Sequence, residues 1–115
     1  MNLQEKIEAI ADHYGIGIQL LKLAEECAEY SAAVQKWQVY ANLAYTKKLK
    51  VAEHFRTLED KAKAGCCKEL ADVLVLARQI EYLMQTDPEF KDEIERLMNE
   101  KADRQLSRIE EEKNE

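Results

Sequence analysis

The chain has 115 residues, with 17 Lys and Arg against 23 Asp and Glu, a formal charge of −6. That length predicts one domain, residues 1–115, and one Pro with three Gly cannot supply the turn every ~8–12 residues that a β-sandwich needs. No run reaches the ~18 apolar residues of a membrane span, and an acidic chain is poorly suited to neutralising nucleic-acid phosphates, so neither partner is expected.

Ala, Glu, Lys, Leu and Gln dominate, which predicts an all-α fold. Leu3, Ile7, Ile10, Ala11 and Tyr14 recur at helical spacing, giving a first helix over 2–14, amphipathic rather than signal-like, that Gly15 and Gly17 end. A second helix starts near Ile18 and runs unbroken to about Leu43. The segment 44–64 carries six cations (Lys47, Lys48, Lys50, Arg56, Lys61, Lys63) against three carboxylates and keeps helical spacing, with a break that spacing does not locate. Thr57 with Asp60 resembles a capping box before a third long helix that ends near Gln85. Asp87-Pro88 starts the last helix, with Asp as the cap and Pro in the first turn, and residues 110–115 read as a frayed tail. The expected architecture is a four-helix-bundle-like core of long antiparallel helices with an extra N-terminal helix. Cys27, Cys66 and Cys67, with no Cys-x-x-Cys spacing and an odd count, read as reduced core residues of a cytoplasmic protein.

Residues three or four apart share a helix face, so Glu26 with Glu29 and Glu69 with Asp72 are two carboxylate pairs on two helices. Each interrupts an apolar stripe, and between Leu70 and Leu76 every residue except Asp72 is apolar. A carboxylate buried alone costs several kcal/mol, so such groups pair with cations or bind metal. The plain alternative is that each meets a Lys or Arg, but those two helices offer no excess of inward-facing cations. Oxygen-only ligands favour the hard ions Mg²⁺, Mn²⁺ or Ca²⁺ over zinc. A ferritin-like di-iron site wants Glu-x-x-His, and the residues three before His13 and His54 are Ile10 and Val51. His13 reads instead as a dipole partner at the end of the first helix, and His54 as a surface residue. Lys101, Arg104 and Arg108 form a basic stripe on the last helix, either paired with Glu100, Asp103 or Glu111 or free to hold phosphate. Trp37 reads as core, with stacking on a nucleobase as the alternative.

EECAE (Glu25–Glu29) is Glu-Glu-x-x-Glu and ELAD (Glu69–Asp72) is Glu-x-x-Asp. In that order, followed by KADRQLSRI, they resemble the MazG-like all-α nucleoside triphosphate pyrophosphohydrolases over about Gln19–Ile109. The resemblance implies that Glu26, Glu29, Glu69 and Asp72 bind Mg²⁺ and that Glu25 helps orient the attacking water. It also implies that Lys101 and Arg104, with Arg108, contact phosphate, and it places Trp37 near the base-stacking position. The stretch between the motifs, Tyr30 to Lys68, is longer than in typical members.

The implied activity is hydrolysis of a nucleoside triphosphate to monophosphate and pyrophosphate, a nucleotide-pool housekeeping role. With no Gly-x-x-x-x-Gly-Lys loop, metal and basic side chains must hold the phosphates. The alternatives are a dUTP-specific hydrolase of the same superfamily and a catalytically inactive helical interaction module. Apolar Val39, Tyr40, Leu43 and Phe55 between the motifs predict a homodimer or a dimer of dimers.

Overall fold

Asn2 stands before the first helix and its side chain accepts from the Glu5 backbone N–H at 2.8 Å, fixing where α1 (Leu3–Tyr14) begins. Gly15 ends it at φ 81°, ψ 166°, a backbone region open essentially to glycine, while its N–H donates to the Ala11 carbonyl at 2.9 Å. One such residue is enough to break the helix. The second helix therefore begins at Ile16, and Gly17 lies inside it rather than ending the first.

The structure is a computed structural model that describes residues 1–46 and 49–115, and side chains outside 46–50. Beyond α1 it holds α2 (Ile16–Thr46), α3 (Leu49–Met84) and α4 (Pro88–Lys113). The fold is all-α and bundle-like, with four helices and no strand among the described residues, α1 being one of the four. Lys47 and Lys48, and the side chain of Lys50, lie outside the described residues.

From Leu49 onward the basic segment and the Glu-x-x-Asp helix are one element of 36 residues. Thr57 caps nothing. It sits in mid-helix and its hydroxyl donates to the Glu53 carbonyl at 3.2 Å, the back-bond by which Thr is accommodated inside a helix. Asp87 does cap α4, accepting from the Phe90 N–H at 3.2 Å with Pro88 behind it. That helix continues through the charged tail to Lys113.

The chain divides into two compact units, Met1–Tyr82 and Leu83–Glu115. In the first, α2 and α3 pack antiparallel. Gln19 meets Gln79, the Trp37 indole N–H donates to Glu59 at 3.4 Å, and the Tyr40 and Phe55 rings stack at 6.5 Å. Helix α1 is tied to α3 by the Tyr82 hydroxyl, which donates to Asp12 at 2.9 Å, and by Arg78, which donates to Gln4. The Asp12 hydrogen bond holds the Tyr82 hydroxyl protonated above its ordinary range. The apolar core is Ile7, Ala11, Ala44, Ala52, Ala62, Cys66, Leu76 and Ile80, mostly small residues that let the helices approach closely. Cys66 is buried as expected, but Cys27 and Cys67 are exposed, each one residue (about 100° of helix) away from a buried neighbour.

Gly15→Ala should lower stability by about 1–3 kcal/mol through backbone strain alone, because a Cβ there meets nothing within 4 Å. Gly17→Ala, in helical backbone and equally open space, should raise it by about 0.5–1 kcal/mol. Urea melts of the two variants, moving in opposite directions, check the assignment of the turn to Gly15.

Candidate metal-binding carboxylate cluster

Glu26 and Glu29 lie one turn apart on α2, and the antiparallel register sets Glu69 of α3 against them. One carboxylate oxygen from each of the three lies within 4.8 Å of the others. Glu26 is 8% exposed, Glu69 is half-buried and Glu29 is exposed, so the cluster runs from the core to the surface. Glu26 Oε2 and Glu69 Oε2 are buried without a hydrogen-bond partner. Two buried acceptors facing like charges require a proton, a water or a cation.

Asp72 does not join the three. It is exposed and lines an open cleft of about 420 Å³ beside Glu26. The apolar run around it suggested burial, yet Ala71 and Leu74 are exposed with it. α1 and α2 cover one face of α3, through Cys66, Leu76 and Ile80, and leave the other open.

Cations are present but only at the margin. Lys22 sits 3.4 Å from both Glu25 and Glu26, and its ammonium is held above the usual lysine range, first by its hydrogen bond to Glu25 and then by Glu26. Glu25 is thereby oriented at the surface next to the cluster. Lys36 and Lys61 share a second cleft of about 300 Å³ with Glu29 and Glu69, yet neither forms an ion pair among the described residues. Sequence spacing gave no sign of that pair of lysines, because they come from different helices.

Trp37 is half-buried and lines neither cleft. Glu59 accepts from its indole and the Lys63 ammonium lies 5.8 Å from its ring centroid, so α3 holds it more than two turns beyond Glu29. His13 ends α1 as expected, its ring edge-on to Tyr14 at 4.7 Å, and His54 is exposed. In the second unit Lys101, Arg104 and Arg108 line one surface hollow of α4 and form no ion pair among the described residues. Glu100 is taken by Arg96 at 2.8 Å, which also grips Glu93 at 2.7 Å and draws its carboxyl below the usual range.

No family profile, curated protein or solved structure matches the chain. No helix among the described residues is long and apolar enough to cross a membrane.

Glu69→Gln should stabilise the protein in EDTA. It removes like-charge contacts worth on the order of 1 kcal/mol each in a water-like surrounding and brings an N–H to the orphaned oxygens. A higher urea midpoint is the expected result, and a lower one would show that the three carboxylates do not repel.

Proposed function

We propose that the protein is a Mg²⁺-dependent nucleoside triphosphate pyrophosphohydrolase. The observation that carries this reading is the Glu26–Glu29–Glu69 cluster with its two orphaned buried oxygens. An all-oxygen donor set suits a hard divalent cation, and the likeness of EECAE and ELAD to the MazG-like motifs supplies the reaction class. Glu26, Glu29 and Glu69 would hold the cation, with Asp72 beside them on the cleft rim. A cation so bound supplies polarisation of the phosphoryl oxygens and an acidified water.

The chain's own groups do the rest. Glu25, tethered by Lys22, orients a water for attack on the α-phosphorus. The new P–O bond forms as the bond to the β-phosphate oxygen breaks, and pyrophosphate leaves with that oxygen. The MazG-like resemblance assigns the phosphate contacts to Lys101, Arg104 and Arg108 of the second unit, which form no ion pair among the described residues. Glu26→Gln and Glu69→Gln should abolish magnesium-dependent pyrophosphate release from a nucleotide panel while helix content survives. Turnover within about threefold of wild type in both would reject the site. Loss of a phosphate hydrogen bond in Lys101→Ala or Arg104→Ala should cost roughly ten- to a hundredfold in kcat/KM.

The reading includes assembly into a homodimer or a dimer of dimers. A core of small residues leaves large apolar ones uncovered. Val39, Val51 and Leu74 are exposed, and Leu21 is 72% exposed. Of the four residues that suggested this, Val39 is exposed whereas Tyr40, Leu43 and Phe55 are half-buried, Tyr40 and Phe55 against each other. A second copy offers the same uncovered surface, as a two-fold interface requires. Light scattering at tens of micromolar should give at least twice the 13.3 kDa chain mass; a monomer mass would refute it.

A further inference from the structure

At one end of the α2–α3 pairing two glutamines are buried face to face, Gln19 at 5% and Gln79 at 2% exposure, with Gln19 Nε2 donating to Gln79 Oε1. Each amide donates through nitrogen and accepts through oxygen, so the mutual bond uses one donor and one acceptor whichever amide gives the proton. Gln19 Oε1 and Gln79 Nε2 therefore stay outside the mutual bond, and neither side chain makes a further hydrogen bond among the described residues. Neither remaining amide atom is among the fully buried unpartnered ones, so both are reached from the cleft that the two residues line, and a partner can enter there.

Both glutamines line the 420 Å³ cleft, as do Glu26, Asp72 and Lys22, the last already paired with Glu26. Its remaining walls are largely apolar, with Ile10, Val75 and Leu76, and Tyr14 contributes an aromatic ring. The chemistry of a matching ligand follows from these features. An acyl chain would leave the amides dry, and an anion would meet Glu26 and Asp72. A sugar would set most of its hydroxyls against apolar walls. A flat heterocycle bearing a donor next to an acceptor suits the walls and the amides together.

Resting on the nucleotide reading, we propose that Gln19 and Gln79 form the base-reading element of the site. The pair takes the hydrogen-bonding edge of a nucleobase into the cleft while the phosphates reach the Glu26–Glu29–Glu69 cluster. Because both amides can turn, the element accepts either a lactam edge or an amidine edge and discriminates bases from sugars and phosphate.

Calorimetric titration of the full chain with magnesium, using nucleoside monophosphates of different bases and ribose 5-phosphate as probes, tests this without turnover. At least one nucleoside monophosphate should bind about tenfold more tightly than ribose 5-phosphate. Gln19→Met and Gln79→Met should erase that margin while leaving ribose 5-phosphate binding and the metal-induced rise in Tm unchanged. Equal binding of the monophosphates and ribose 5-phosphate to the unaltered protein would overturn the proposal. So would a base preference that survives in both variants, and the first comparison decides even if a variant fails to fold. Absence of pyrophosphate release from every triphosphate would reject the hydrolase reading separately, since base-dependent binding is measured independently.

Discussion

The antiparallel register between α2 and α3 places Glu69 against Glu26 and Glu29, and Gln19 against Gln79 two turns away. A slip of one residue turns a helix side chain through about 100°, enough to carry Glu69 out of reach of its neighbours. What resists the slip is distributed along the hairpin: the glutamine pair near one end, the Trp37–Glu59 hydrogen bond, and the stacked Tyr40 and Phe55 rings beyond it. Alanine and cysteine fill the buried positions of α3 on the side where carboxylates from the two helices meet. The cluster is therefore a property of helix packing, and the packing must carry its repulsion.

That repulsion is only partly relieved by the chain itself. Lys22 reaches Glu26 through one oxygen and divides its charge with Glu25, leaving Glu26 Oε2 and Glu69 Oε2 unserved. Lys36 and Lys61 come as near as a shared cleft and stop short of ion pairing. Nearby cations that leave carboxylates unpaired make the local potential less negative without occupying the donor oxygens, so the oxygens stay open to a cation from solution.

Features set by neighbouring residues were legible in the sequence, and those set by distant ones were not. Asp87-Pro88 and the turn at Gly15 depend on local backbone chemistry, and the structure places both as expected. The stripe Glu26–Glu29 and the position of Glu69 follow from helical period, but that the three converge depends on a hairpin register no local pattern encodes. Asp72 and Cys67 are exposed because α1 and α2 cover only one face of α3, so apolar neighbours on the other face bring no burial. Cys27 is exposed on α2, turned about 100° from the buried Glu26, which the count and spacing of the cysteines do not encode. Thr57 misled because the same residue types that cap a helix can sit inside one by bonding back to a carbonyl.

The basic stripe of α4 owes its freedom to competition within its own helix. Glu100 stands one turn before Arg104, where the two could pair, but Arg96 takes it from one turn earlier and holds Glu93 with the same guanidinium. A fork-shaped cation that spans two carboxylates satisfies both at little extra entropic cost, so a later lysine gains nothing by displacing it. Lys101, Arg104 and Arg108 are left as three neighbouring cations whose mutual repulsion an anion would relieve. The chain thus carries two unsettled charge groups of opposite sign: carboxylates on α2 and α3 that a cation would neutralise, and cations on α4 that an anion would.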